Sequence, residues 1–280
     1  MSEIPTGQKT VHVPMVSGGI DSTVAAAVAH EQANKIDFIA YLDTGTGLDE
    51  NREYVEELAD HLGTQLWTLR THEQYEEMVE EQGFPGPSKH IIMYNRLKER
   101  QISKLATVTG DKELVTWTGL RKAESPAREK NTERVADQER WTMVSPIAEW
   151  TKEDCKEYID EHDLPKNDLW NTLGRSGDCF CGAYASPEEK LDLRAAGCEY
   201  QAEWIESLEE CVTTGDEKEM WGWGALSESE RRSVRAEKDD GQITLCSHSP
   251  MNTWARLIKK ASPSWCPYVS LTFLKPSRST

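Results

Sequence analysis

The chain has 280 residues, 49 acidic against 32 basic, for a net charge of −17, which argues against a broad nucleic-acid-binding face and leaves room only for a local basic patch. Such self-repulsion fits a salty cytoplasm, as in halophiles, where charge is screened. There is no 18-residue apolar run and no signal-peptide pattern, so a soluble, cytoplasmic chain without membrane contact is expected, and the seven Cys point to thiols, redox chemistry or metal rather than a disulfide framework.

Residues 1–10 carry little pattern. Val11–Val16 is apolar and β-prone, and Val24–His30 is alanine-rich and helix-forming. Between them lies Ser17-Gly18-Gly19-Ile20-Asp21-Ser22-Thr23, so the unit is strand, glycine turn, helix. A helix N-terminus presents unpaired N–H groups and partial positive charge, which suits phosphate. Gly18 and Gly19 let the backbone approach an anion, and Ser17, Ser22 and Thr23 add hydroxyls. The Gly-Lys-[Ser/Thr] ending of the Walker loop is absent.

Ile36–Leu42 reads as a second strand and ends in Asp43-Thr44-Gly45-Thr46-Gly47. Glu50–Leu62 is an acidic amphipathic helix with Tyr54, Val55, Leu58, Ala59 and Leu62 on one face. Gln65–Leu69 is a third strand. This alternation predicts right-handed βαβ units and an α/β fold, a doubly wound parallel sheet with helices on both faces. Ligands in such sheets sit at the C-terminal strand ends, where both loops lie. Asp-Thr-Gly alone is also a common turn sequence.

Residues 83–90 form a Gly- and Pro-rich loop with the character of a lid. One helix is expected over 91–109, carrying Arg96, Lys98, Arg100 and Lys104, either facing an anion or simply solvated. Leu114–Thr118 is a fourth strand and opens into Gly119-Leu120-Arg121-Lys122-Ala123-Glu124-Ser125-Pro126-Ala127-Arg128. Two guanidiniums at a strand's C-terminal end supply fork-shaped donors for phosphate or sulfate. The plainer alternative is a pair of surface arginines. A last strand reaches Pro146, and Thr151 caps a helix with Asp154 at its third position.

These motifs resemble a known family. Ser17–Ser22 is similar to the pyrophosphate loop (PP-loop) of the N-type ATP pyrophosphatases, the adenine nucleotide alpha hydrolase-like superfamily. Asp43-Thr44-Gly45 and the Gly119–Arg128 segment resemble its PAPS/APS reductase branch, the latter matching Thr-Gly-x-Arg-x-x-x-Ser-x-x-Arg. Leu164-Pro165-Lys166-Asn167-Asp168-Leu169 is similar to that family's Leu-Pro-x-Asn-x-Leu turn. The match runs from about Val11 to about Cys181. It implies a Rossmann-like nucleotide-binding domain over residues 1–175 and a helical, cysteine-bearing region over 176–280. It further implies that Ser17, Gly18, Gly19, Ser22 and Thr23 hold phosphate, and that Asp43, Gly45, Gly119 and Ser125 line the nucleotide. Asp21 would brace the loop or help place Mg²⁺. Arg121 and Arg128 would neutralise the charged end of ATP or of PAPS/APS.

The cysteines depart from the family pattern. Its iron–sulfur members carry Cys-x-x-Cys and an upstream Cys-Cys; this chain has Cys179-Phe180-Cys181 and no Cys before Cys155. A [4Fe–4S] cluster would draw on Cys179, Cys181, Cys198 and Cys246, with Cys211 and Cys266 in reserve. The same thiolates suit Zn²⁺, with His248, or remain free thiols. Thiol-dependent members use a C-terminal Cys, but residues 269–280 contain none and Cys266 is the nearest. The region from Pro187 to Cys211 reads as one long amphipathic stretch, Trp221-Gly222-Trp223-Gly224 as an aromatic loop, and Ser227–Lys238 and Asn252–Lys260 as short helices.

The resemblance therefore leaves several activities open. One is reduction of an adenylyl sulfate, and another is ATP-dependent sulfur transfer. A third is an iron–sulfur ATP pyrophosphatase subunit of DNA phosphorothioation or another nucleic-acid modification. The last is a non-catalytic nucleotide-binding subunit. A protein partner or sulfur donor, a nucleic-acid substrate and a homo-oligomer are compatible with these.

Overall fold

A computed structural model describes residues 4–7, 9–33, 35–70, 75–212 and 214–232. The expected helix at 252–260, together with Cys246, His248 and Cys266, lies outside the described residues.

Strands β1 (Thr10–Val16), β2 (Ile39–Asp43) and β3 (Leu66–Arg70) alternate with helices α1 (Ile20–Gln32) and α2 (Asp49–His61). Next come α3 (Tyr75–Gln82), α4 (His90–Tyr94), α5 (Arg100–Val108) and β4 (Glu113–Trp117). After them lie α6 (Pro126–Asn131), β5 (Val135–Asp137), β6 (Thr142–Val144) and α7 (Lys152–Glu161). The chain continues with α8 (Leu169–Thr172), α9 (Glu189–Ala195) and α10 (Glu199–Cys211). The six-stranded sheet has the order β3-β2-β1-β4-β6-β5. All pairings are parallel except β5 with β6. The doubly wound α/β expectation therefore holds, and the antiparallel edge hairpin is an addition to it.

Strand alternation sorts the core into layers. Val11, Val13, Ala40 and Leu114 pack with Leu105 of α5 on one face. On the other, Val16, Ile39 and Tyr41 pack with Tyr54, Val55 and Leu58 of α2. The small side chains of α1 let it lie tightly between the sheet and α7, where Val24, Ala25 and Val28 meet Cys155 and Ile159. Reversal of strand order across β1 and β4 opens a crevice at their C-terminal ends, the usual ligand position in open α/β sheets.

A separate core joins Leu48, Tyr75, Val79, Phe84, Met93 and Leu97 to Phe180, Leu193, Ile205, Leu208 and Trp221. Residues on both sides of position 175 thus share one apolar cluster.

Two helices expected as continuous are broken. The 91–109 segment is α4, a π-turn over Asn95–Glu99, then α5. The wide turn sets Leu97 and Lys98 inward, with Leu97 buried. The 187–211 stretch splits into α9 and α10 at Gly197, whose φ of +81° ends the first helix in the left-handed region. Among the described residues no helix is long and apolar enough to cross a membrane.

Candidate active site

The Ser17–Ser22 loop links the end of β1 to α1 through its own hydroxyls. The Ser17 amide donates to Ser22 Oγ at 3.1 Å, and Ser22 Oγ donates to the Gly19 carbonyl at 3.0 Å. Gly18 sits at φ +73°, and a Cβ on it would fall 1.9 Å from Asn51 Oδ1, so both conformation and space require glycine.

Two buried asparagines hold this turn from behind. Asn51 Nδ2 donates to the Ser17 carbonyl at 3.1 Å. Asn167 Nδ2 is 3.1 Å from the Gly18 carbonyl and 3.0 Å from Asn51 Oδ1. Trp170 Nε1 adds a third donor, 2.8 Å from the Gly18 carbonyl. With its carbonyls engaged behind, the loop is held in a fixed shape at the N-terminus of α1, a position that suits an anion. Thr23 departs from the expectation of a phosphate hydroxyl. It is fully buried, and its Oγ1 meets Tyr54 OH at 2.8 Å, so the hydroxyl faces the core and not the loop.

Asp21 and Arg121 meet across the crevice. Arg121 Nη2 donates to Asp21 Oδ2 at 3.0 Å, and Nε lies 2.9 Å from Oδ1. The second approach is close but misaligned for hydrogen bonding. Burial works against the Arg121 charge, and the Asp21 carboxylate more than offsets it. Gly119 makes the approach feasible: a Cβ there would lie 2.5 Å from the Asp21 backbone.

Glu124, given no role from sequence, belongs to the same corner. Burial raises its carboxyl, Arg128 opposes this, and Asp21 adds to it. Arg128 Nε lies 3.3 Å from Glu124 Oε2 with its side chain half exposed. Ser125 Oγ accepts from the Arg128 amide at 3.2 Å and caps α6.

Asp43 ends β2. Its Oδ2 accepts from Arg70 Nε at 2.8 Å, and its Oδ1 accepts from the Gly45 amide at 2.9 Å. Gly45 takes φ +74° with open space where a Cβ would be. The rest of this loop is sealed by residues 177–180. The Leu48 amide donates to the Gly177 carbonyl at 2.9 Å, and the Phe180 amide donates to the Thr46 carbonyl at 3.1 Å. Ser176 lies beside Gly19, so the same segment reaches the Ser17–Ser22 loop.

Cys179 and Cys181 are adjacent. The Cys181 thiol donates to the Cys179 sulfur and, with Lys98 and Thr46, holds the Cys179 thiol below its ordinary range against the effect of burial. Thr46 Oγ1 lies 3.7 Å from Cys179 Sγ, and Lys98 Nζ pairs with Asp178 at 2.5 Å.

Cys198 is elsewhere, buried at the start of α10 within 4.0 Å of Glu50 Oε1. Cys155 lies in the α1–α7 core, where burial pushes its thiol up to about 12. Among the described residues no group of three or more His, Cys, Asp or Glu side chains could hold a metal ion. The expected grouping of Cys179 and Cys181 with Cys198 is therefore not formed, and Cys246 lies outside the described residues. A [4Fe–4S] cluster needs four thiolates and structural zinc needs four ligands, so the described residues fit neither.

The model of the phosphoadenosine phosphosulfate reductase domain family matches residues 12–202. Phosphoadenosine 5'-phosphosulfate reductase of Xanthomonas euvesicatoria pv. vesicatoria (strain 85-10) is 31% identical over 161 residues, 55% of this chain and 64% of the relative. Its counterpart from Xylella fastidiosa (strain 9a5c) is 30% identical over 143 residues, 47% of this chain and 56% of the relative. A solved phosphoadenylyl-sulfate reductase from Candida auris, in a phosphate complex, is 18% identical with a TM-score of 0.44, covering 60% of this chain and 79% of that one. The chain spans less than two thirds of the length of these curated relatives. A family match over more than half of its residues establishes that the chain belongs to the phosphoadenosine phosphosulfate reductase domain family.

Proposed function

We propose that the chain binds an adenylyl sulfate at the Ser17–Ser22 loop and acts as a sulfonucleotide reductase. The observation that carries this reading is the buried Arg121 guanidinium, fixed beside that loop by Asp21 at the end of β4. It places permanent positive charge where a sulfate or phosphate would end, with no reorganisation needed as negative charge develops. Ser17, Gly18, Gly19 and Ser22 hold phosphate, while the Thr23 hydroxyl does not take part. Asp21 braces Arg121, a role its engaged carboxylate favours over placing Mg²⁺. Asp43, Gly45 and Gly119 shape the nucleotide pocket. Arg128, half exposed, closes over the charged end, and Ser125 positions it through the α6 cap.

ATP-dependent sulfur transfer is the second reading, supported by the presence of only two gathered thiols among the described residues. The full chain with dithiothreitol is offered PAPS, APS and ATP in separate reactions. Sulfite from PAPS or APS, with no pyrophosphate from ATP, is the expected result. Pyrophosphate release from ATP would replace reduction with adenylation. Binding without turnover of any of the three would leave a nucleotide-binding subunit.

A further inference from the structure

We infer that Cys179 and Cys181 form a redox-active dithiol that exchanges with small disulfides and closes to an internal disulfide. The two thiols line a cavity of about 170 Å³ together with His90, Met93, Lys98 and Tyr184. Both are partly exposed, unlike Cys155 and Cys198, which are buried. Thr46 Oγ1, from the loop after β2, lies 3.7 Å from the Cys179 sulfur, and Lys98 of the π-turn lines the same cavity. Asp178 lies beside them and holds Lys98. Two partly exposed thiols two residues apart on the wall of one cavity suit thiol–disulfide exchange, with the second thiol resolving the mixed disulfide formed on the first.

Cys179 is the attacking residue. Its thiolate attacks one sulfur of a small disulfide, forming a mixed disulfide and expelling one thiolate. The Cys181 thiol passes its proton to that thiolate and attacks Cys179 Sγ, expelling the second. One external disulfide becomes two thiols, and two protein thiols become one disulfide, so atoms and electrons balance. The assignment goes beyond nucleotide binding and does not depend on sulfonucleotide reduction. Cys179 also touches Thr46, so the pair's oxidation state changes beside the loop that follows β2.

The test uses the full chain and oxidised glutathione, followed by tryptic mass mapping. Residues 176–190 form one tryptic peptide holding both cysteines and no other. The expected product is that peptide lighter by two hydrogens, restored by dithiothreitol. Cys181→Ser should accumulate glutathione on Cys179. Cys179→Ser should abolish the internal disulfide, and its far-ultraviolet spectrum checks that the fold persists. Glutathione trapped on Cys155 or Cys198 before Cys179 overturns the assignment. So does a Cys181→Ser chain that is folded and yields no Cys179 adduct.

Discussion

Arg121 and Asp21, 100 residues apart in sequence, stand side by side at the mouth of the sheet with Nη2 and Oδ2 3.0 Å apart. The pair joins the loop after β4 to the first turn of α1, so it ties the arginine segment to the Ser17–Ser22 loop. Arg121→Met would leave the Asp21 and Glu124 carboxylates next to each other. The expected loss is about 3 kcal/mol, the low end for a broken buried pair because Asp21 keeps some exposure. Asp21→Asn combined with Arg121→Met should cost less than the sum of the two, by about 1 kcal/mol or more. Urea unfolding of the four proteins measures this; strict additivity would mean the contact contributes nothing.

Gly119 and Gly45 offer a matched contrast. Gly119→Ala drives a methyl to 2.5 Å from the Asp21 backbone, while Gly45→Ala meets nothing within 4 Å and suffers only from φ +74°. Overpacking against backbone is expected to cost about 2–3 kcal/mol, and left-handed strain about 1 kcal/mol. Phosphate affinity should fall for Gly119→Ala more than for Gly45→Ala, by isothermal titration with inorganic phosphate. Equal losses would show that the loop tolerates displacement of α1.

Loops following strands were legible because their chemistry is contiguous: glycines, hydroxyls and arginines sit within a few residues of a strand end. The support behind them was less so. Asn51 falls in the helix read over 50–62 and Asn167 in the Leu164–Leu169 turn, yet their task depends on a contact between residues 116 apart. Trp170 reaches Gly18 across 152 residues. Glu124 lies within the arginine motif, but only the fold brings it to Asp21. Thr23 reads like Ser22 in sequence, and helical rotation turns one hydroxyl to the loop and the other to Tyr54. The break at 95–99 had no glycine or proline to announce it. It satisfies Leu97 packing and Lys98 pairing instead.

The asparagine clamp makes a graded prediction. Asn51→Ala removes the donor to Ser17 O and the acceptor for Asn167, stranding buried polar groups at a cost of about 1–3 kcal/mol. Trp170→Phe removes one of two donors to Gly18 O and should cost about 1 kcal/mol, since Asn167 still serves that carbonyl. Thermal unfolding ranks the two variants. If Trp170→Phe proved the more damaging, the indole's packing would outweigh the clamp.

The α7 cap predicts an acid-dependent effect. Asp154 accepts from the Thr151 amide at 2.7 Å, and Thr151 Oγ1 accepts from the Asp154 amide at 3.1 Å. The Thr151 amide, then its hydroxyl, lowers the Asp154 carboxyl below its ordinary 3.8. A folded-state value below the unfolded one binds protons less readily, so the cap's electrostatic contribution is complete above the unfolded value and disappears as pH falls through the folded one. Asp154→Asn should therefore shift the urea midpoint relative to the parent by a constant amount from neutral pH down to about 4. The gap should close below that, once the parent's carboxyl is protonated. Midpoints measured across this range decide it: a gap that persisted or widened in acid would mean that the Asp154 charge does not hold the helix start, and that Thr151 alone caps α7.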